Sequence, residues 1–316
     1  MKRIQEAAHW LQERDDFLII THRRPDGDAV GSAIALCLGL RDVGKTAHIW
    51  QNPQFTPRYA GRLAGLTTDT VPETATIISV DMATEGLLPL NGEQFAGKIL
   101  LSLDHHPSNT GYAAETLLQA ECAGCGELIW DLLEELGVTI TRDMAEAVYI
   151  AISTDTGCFR FSNTTARTFR TAAKTVEHGA QIGPINREFF EIKSKGRLRL
   201  ESRIMANMEF YADGKVAIAC LPQTWVEELE VSEDDLDSIS GFPRTIDGVC
   251  VGVMIRNSEP GRAKMSVRTA AGYNASVFCG HLGGGGHAAA AGCSVPGTLE
   301  DGKQAILQVL REENVI

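Results

Sequence analysis

Residues 99–109 read ILLSLDHHPSN: an apolar run stops at Asp104, His105 and His106, and a proline follows. Successive side chains on an extended chain point to opposite faces, so adjacent histidines can serve two tasks at one place. Imidazoles beside a carboxylate can ligate divalent metals and also carry protons. Two further strand-like runs end in the same residue types. FLIITHRRPDGD (17–28) closes with His22, Asp26 and Asp28, and TIISVD (76–81) closes with Asp81. A fourth segment, AISTDTGCFRFSNTT (151–165), sets Asp155 after an apolar stretch in a Thr/Gly-rich turn.

Each piece alone has an ordinary reading. Asp or His after a strand often serves as a turn residue or helix cap, and Asp28 is placed to cap the helix that follows it. Three histidines and five aspartates at four element ends favour a metal centre instead. Carboxylate and imidazole without thiolate suit Mn2+ best, with Mg2+, Co2+ or Zn2+ also admissible. The ligands exceed what one ion needs. Two ions sharing a bridging carboxylate lie roughly 3.5–4 Å apart, activate water and stabilise in-line displacement at phosphorus.

The elements that must position these residues alternate. Strand-like runs DDFLIITH (15–22), AHIW (47–50), ATIISVD (75–81) and KILLSLDHH (98–106) are interspersed with helical patterns. These are DAVGSAIALCLGLRDVG (28–44), ELIWDLLEELG (127–137) and MAEAVYIAIST (144–154). In the second, Leu128, Ile129, Leu132, Leu133 and Leu136 share a face and Gly137 suits the C-terminal cap. The expectation is an α/β fold over residues 1–185, a mainly parallel sheet flanked by helices on both faces. Ligands in such sheets bind outside the carboxyl ends of the strands. Residues 186–204 are charge-rich and read as a linker or connecting helix. A second, smaller α/β domain is expected over 205–316, with strands in 214–221, 247–256 and 263–269 and a capped helix in 232–242.

Composition bounds the function classes. Hydrophobic residues make 44% and charged residues 22% of 316, as in a soluble globular protein. No apolar stretch approaches the ~20 residues that span a bilayer, and MKRIQEAAHWLQERDD lacks the apolar core of a secretory signal. A cytoplasmic protein with eight reduced cysteines is the expectation. Cys122 and Cys125 form a lone C-x-x-C, best read as two positions on one face of a helix starting near 121 rather than a redox or metal site. The net charge of −12 argues against a protein that coats long duplexes, while leaving room for a small anion held by placed arginines. Arg256, Arg262, Lys264 and Arg268 cluster, and on a strand 262, 264, 266 and 268 share a face, either solvated or anion-binding. The run Gly283–Gly286 is either a turn or an anion-binding nest of backbone amides. Arg160 can reach a phosphate and Phe161 reads as packing; Arg23 and Arg24 flank the first metal loop.

THRRPDGDAVGS, SVD, LDHHPSN and STDTGCFRFSNT resemble the motifs of the DHH phosphoesterase superfamily, named for its Asp-His-His triplet. SVRT (266–269) and GGGGHAAAAG (283–292) resemble its DHH-associated second domain. The resemblance implies that residues 1–185 form the catalytic domain and 205–316 a substrate-binding domain. It implies one metal held by His22, Asp26 and Asp81, and another by Asp28, Asp81, His105 and Asp155. His106 would then face the substrate phosphate or leaving group as donor or general acid, with Asp104 supporting the histidines. Arg268, Arg262, Gly284, Gly285, Gly286 and His287 would hold the substrate's phosphate or terminal nucleotide. Among branches of the superfamily, this two-domain organisation is most similar to the bifunctional oligoribonucleases, or nano-RNases. These hydrolyse short RNAs of two to five nucleotides to mononucleotides and dephosphorylate 3′-phosphoadenosine 5′-phosphate to AMP. Short RNA and small phosphorylated nucleotides are therefore the expected partners, without a membrane, with a homodimer admissible. A phosphodiesterase for linear or cyclic dinucleotides is the second expectation, and a non-catalytic, metal-containing nucleotide-binding regulator the third.

Overall fold

The computed structural model of the chain describes residues 2–236, 239–259 and 261–316. It divides into two compact units, Met1–Ile192 and Lys193–Ile316.

In the first unit the strands are β1 (Phe17–Ile20), β2 (Ala47–Trp50), β3 (Thr67–Thr68), β4 (Thr76–Val80), β5 (Leu101–Asp104) and β6 (Glu115–Leu118). They form one sheet in the order β3-β2-β1-β4-β5-β6, parallel at every pairing. Strands buried on both faces need continuous apolar sequence, and FLII and TIISV supply it. The helices are α1 (Ile4–Gln12), α2 (Gly27–Asp42), the single turn α3 (Ala60–Leu63), α4 (Cys125–Glu135), α5 (Arg142–Asp155), α6 (Ala166–Glu177) and α7 (Ile182–Asn186), followed by a π-helical turn, Arg187–Glu191.

Phe17 and Ile19 pack into one core with α1, α2, α4 and α5. Leu18 and Ile20 point to the opposite face, against Trp50, Met82, Phe95 and Ile99. There the short 3-10 turns Glu85–Leu87 and Glu93–Phe95 lie in the β4–β5 connection, where helices were expected on both faces. Gly137, at φ +73°, follows the last turn of α4 in the left-handed conformation that ends many helices.

One local expectation is corrected, and the linker or connecting helix read over 186–204 takes the helical form. Helix α4 starts at Cys125, so Cys122 precedes it and the two thiols do not share a helix face. Cys122 donates to Gln119 Oε1 and Cys125 to the Leu103 carbonyl. The segment 186–204 is helical, contributing to α7, the π turn and α8 (Lys195–Ala206).

The second unit adds β7 (Glu209–Tyr211), β8 (Val216–Leu221), α9 (Gln223–Glu228), α10 (Glu233–Leu236), β9 (Val251–Glu259), β10 (Arg262–Thr269), α11 (Ala275–Gly280), β11 (Gly285–Gly286), β12 (Ala290–Pro296) and α12 (Leu299–Glu312). Its sheet runs β11-β12-β10-β9-β8-β7, antiparallel except for β8 beside β9. Of the helix expected over 232–242, Glu233–Leu236 is α-helical and a 3-10 helix runs from Ile239 to Thr245; 237 and 238 lie outside the described residues.

Candidate metal centre

Strand order reverses between β1 and β4, and at that point a parallel sheet opens a crevice at its carboxyl edge. The ends of β1, β4 and β5 deliver His22, Asp81 and the Asp104–His106 triplet there. Helix–helix contact delivers the rest. A Cβ on Gly27 would stand 2.4 Å from the Thr154 side chain, and one on Gly31 2.3 Å from the Ala147 carbonyl oxygen. Bare glycines thus let α2 lie close on α5, which brings Asp28 and Asp155 to one side of the crevice.

His22 Nδ1 lies 2.9 Å from the Arg23 carbonyl oxygen. A carbonyl only accepts, so Nδ1 carries the proton and Nε2 offers a lone pair. That Nε2 is 3.8 Å from Asp26 Oδ1 and 3.6 Å from Asp81 Oδ2. His105 repeats the device: Nδ1 meets the Cys122 carbonyl at 3.2 Å. Its Nε2 lies 3.5 Å from Asp81 Oδ1, 3.6 Å from Asp28 Oδ2 and 3.8 Å from Asp155 Oδ2. These separations are long for hydrogen bonds and suit ligand atoms ranged around a cation.

Among the described residues, three groups bring ligand atoms within 4.8 Å of one another: His22–Asp26–Asp81, Asp28–His105–Asp155 and Asp81–His105–His106. Asp81 belongs to two of them, and its buried Oδ1 has no hydrogen-bond partner among the described residues. An orphaned buried carboxylate oxygen facing imidazole nitrogen is what a cation site requires, so the residues fit a metal. Asp81 holds a left-handed φ of +54° while its N–H donates to the Leu103 carbonyl. Strain of this kind persists only where the surroundings impose it.

The capping expectation for Asp28 is corrected. Asp26 caps α2, its Oδ1 accepting from the Asp28 and Ala29 amides at 3.1 Å. Asp28 instead caps α4: Oδ2 accepts from the Cys125 amide at 2.6 Å and Oδ1 from the Gly126 amide at 2.9 Å. A Cβ on Gly124 would stand 2.9 Å from Asp28 Oδ2, so the α4 entry must be bare backbone. Asp155 is the last residue of α5 rather than part of the turn beyond it.

Asp104 is fully buried and organises the triplet. Oδ1 accepts from the His105 and His106 amides and, at 2.8 Å, from His106 Nδ1. Oδ2 accepts from Asn109 at 2.6 Å. Residues missed from sequence hold the frame. Buried Asn52 donates to the His22 carbonyl at 2.9 Å and to Thr21. Asn163 ties the Ala123 and Asp155 carbonyls together, and Ser32 donates to Asp28. Asn109 and Asn163 fall inside the quoted motifs, whereas Asn52 lies thirty residues from its partner with no local signal.

The electrostatics match a cation site. Burial, then the nearby Asp81 carboxylate, pushes Asp28 well above the ordinary carboxylate range. Burial likewise raises Asp155 to about 7, against the pull of His105. Desolvation pulls His105 down, but the surrounding carboxylates, Asp81 first, outweigh it and raise it to about 11. His22 also ends well above its usual value, because Asp26 and Asp81 overcome desolvation. Desolvation opposes ionisation of Asp26, yet its His22 partner holds it at about 2. Carboxylates this crowded without a cation share protons with the imidazoles; a divalent ion displaces those protons.

In the second unit, β10 alternates as expected: Ala263, Met265 and Val267 are buried, while Arg262, Lys264, Ser266 and Arg268 take the other face. Arg262 donates to the Ser294 hydroxyl and carbonyl, and Arg268 to the Val267 carbonyl and the Ser240 hydroxyl. Burial lowers the Arg268 pKa. The glycine run is a hairpin edge, with Gly285 opposite Gly292 and Gly286 opposite Ala291. A Cβ on Gly284 would stand 2.2 Å from the Gly292 oxygen, and one on Gly286, at φ +143°, 2.6 Å from the Ala290 oxygen. The amides of Gly283, Gly284 and His287 already donate to Gly280, Cys279 and Ala290. The expected nest is therefore not open at those three amides, and the exposed His287 side chain is what the turn presents. Arg23, Arg24 and Arg160 are exposed; Phe161, expected to pack, is exposed as well.

A parallel sheet with an aspartate–histidine centre at its switch point, joined to a second mixed-sheet unit, defines a two-domain α/β protein of the DHH type. Residues 16–152 match the DHH family, N-terminal domain, and residues 213–314 match the DHHA1 domain. The chain belongs to the DHH family. It is 30% identical to the bifunctional oligoribonuclease and PAP phosphatase NrnA of Thermus thermophilus, over 93% of this chain and 89% of that protein. The protein of that name from Bacillus subtilis is 24% identical, over 92% of each chain. The cyclic-di-AMP phosphodiesterase GdpP of Geobacillus thermodenitrificans is 24% identical over 88% of this chain and 44% of its own length. In three dimensions the chain resembles an exopolyphosphatase-related protein from Bacteroides fragilis, with a TM-score of 0.85 at 22% identity over 98% of this chain and 95% of that one. Among the described residues no helix is long and apolar enough to cross a membrane.

Proposed function

We propose that this protein is a two-metal phosphoesterase. It would hydrolyse short oligoribonucleotides to mononucleotides and dephosphorylate 3′-phosphoadenosine 5′-phosphate to AMP, in the cytoplasm. The observation that carries the metal reading is Asp81: one buried carboxylate shared by two ligand groups, with an oxygen no protein donor satisfies. The relatives named for both activities support the substrates.

His22, Asp26 and Asp81 would hold one ion, and Asp28, Asp81, His105 and Asp155 the other, with Mn2+ suited to this ligand set. Bound there, divalent ions supply Lewis acidity toward phosphoryl oxygens and acidify water. The protein's own groups do the rest. Asp104 holds the His106 Nδ1 proton, which leaves Nε2 to carry or receive a second one. Desolvation lowers the His106 pKa, but the Asp104 and Asp81 carboxylates win and raise it; held by Asp104, the ring would serve as a proton donor toward a leaving oxygen. Arg268, Arg262 and His287 would hold the anionic end of the substrate, with Gly284, Gly285 and Gly286 keeping the hairpin beneath His287 thin. Guanidinium groups match phosphate geometry.

The test is release of mononucleotide or phosphate by Mn2+-loaded protein from an RNA dinucleotide, a longer RNA, linear and cyclic di-AMP, and 3′-phosphoadenosine 5′-phosphate. Preference for the dinucleotide and the bisphosphate is expected. Turnover of the di-AMP forms alone would favour the second reading, which the GdpP relative supports. No turnover with metal bound would leave a regulator.

A further inference from the structure

Directly after Asp155 the chain does something costly. Gly157, Cys158 and Phe159 take φ of +55°, +58° and +62°, three successive left-handed residues of which two carry side chains. Backbone of this kind is held only by surrounding contacts. Thr156, fully buried, supplies them. Its carbonyl accepts from the Arg160 amide at 2.9 Å and the Phe161 amide at 3.0 Å, and its hydroxyl from the Phe159 amide at 3.1 Å. Phe159 anchors the loop from behind, 5.8 Å from Tyr149 and stacked on Phe169 at 5.4 Å.

What this loop displays is Phe161. Its ring lies over Gly157, where a Cβ would come within 2.3 Å of it, yet the residue remains 57% exposed. Gly157 is two residues from Asp155, so their Cα atoms are no more than about 7.6 Å apart. Asn163, two residues after Phe161, binds the Asp155 carbonyl and ties the far end of the loop to the same ligand. An exposed phenyl ring is thus fixed beside the candidate metal centre by strained backbone.

We infer that Phe161 is a nucleobase-stacking residue, a platform for the base next to the phosphodiester that is cut. The inference rests on the short-RNA reading above. Single-stranded RNA carries unpaired bases whose faces stack on aromatic rings whatever their sequence. A ring held against Gly157 loses little freedom when a base covers it. Arg160, beside it and hydrogen-bonded through Nε to the Gly157 carbonyl, adds positive charge at the same edge.

The test uses the full-length, Mn2+-loaded protein and its Phe161→Ala, Phe161→Leu and Phe161→Trp variants. Each is assayed on an RNA dinucleotide and on the same sugar–phosphate unit without bases. Relative to the base-free compound, the dinucleotide KM is expected to rise about tenfold in the Ala and Leu variants and to return in the Trp variant. A non-hydrolysable phosphonate dinucleotide carrying 2-aminopurine gives a reading independent of turnover. Its fluorescence should be quenched by wild type and by Phe161→Trp, and recover in Phe161→Ala. Equal KM changes on both compounds, or quenching that survives in Phe161→Ala, overturn the inference. So does loss of self-association in Phe161→Ala with KM untouched, which would assign the ring to contact between copies. Wild type that cuts neither compound sinks the short-RNA reading instead, and the quenching still decides whether Phe161 stacks a base.

Discussion

Gly31→Ala adds one methyl where α2 crosses α5. That carbon would stand 2.3 Å from the Ala147 carbonyl oxygen and 3.0 Å from the Ala151 Cβ and amide nitrogen. Ordinary contact requires the helices to part by about 1 Å. Overpacking of this kind costs about 1–3 kcal/mol, and alanine's better helix propensity returns about 1 kcal/mol. The net loss is therefore up to about 2 kcal/mol, a melting shift of several degrees. The functional loss should be larger. Asp28 lies three residues before Gly31 on α2, and Asp155 four residues after Ala151 on α5. Separating the helices separates the two carboxylates, and a misplacement of about 1 Å can cost on the order of a hundredfold in rate. Calorimetric Mn2+ titration beside dinucleotide turnover measures this. Gly61→Ala, where a Cβ meets nothing within 4 Å, is the control. A Gly31→Ala protein that binds metal and turns over like wild type would show that the helix contact does not set the site.

Asp81→Ala should abolish turnover and lower the bound metal together, because one carboxylate serves two ligand groups; full activity would refute the shared-ligand assignment. Asp104→Ala leaves two backbone amides, the His106 ring and Asn109 without their acceptor. At about 1–3 kcal/mol per orphaned buried group it should lower the melting temperature and reduce kcat more than KM. Arg268→Ala should raise KM several-fold with manganese content intact, and metal loss by elemental analysis would contradict the division of roles. The metal-free protein should melt at lower temperature as pH rises. Asp155, raised by burial to about 7 from 3.8, keeps when folded a proton that the unfolded chain has lost, so stability falls between those values. His105, raised to about 11 against desolvation, contributes fully below 6.5 and loses that contribution as pH climbs toward about 11. Mn2+ should reverse both trends by binding the deprotonated ligands, and a metal-free melting temperature that ignores pH would refute this account.

Much of this was legible in local sequence. FLII, TIISV and the amphipathic run ending at Gly137 have the apolar periods of buried strands and a one-sided helix, and local pattern is what drives such elements. The acidic and imidazole residues that converge were legible for a related reason: His22, Asp81 and Asp104–His106 follow strands, and Asp155 ends a helix, and such ends show in sequence as an apolar run that stops. Other features had no such signal. AAGCSVP forms β12, though alanine and glycine carry no strand preference; pairing with β10 makes it one. The glycines of 284–286 became a tight hairpin edge because β12 lies against them. Asp28 looked like the cap of its own helix and caps α4, ninety-seven residues away. Asn52 secures His22 from beyond the end of the neighbouring strand β2. Sequence alone determined which residues have the chemistry to bind metal and which elements carry them. The tertiary structure decided which oxygen each amide, imidazole and hydroxyl would meet, because those partners are distant in the chain and only packing brings them within hydrogen-bonding reach.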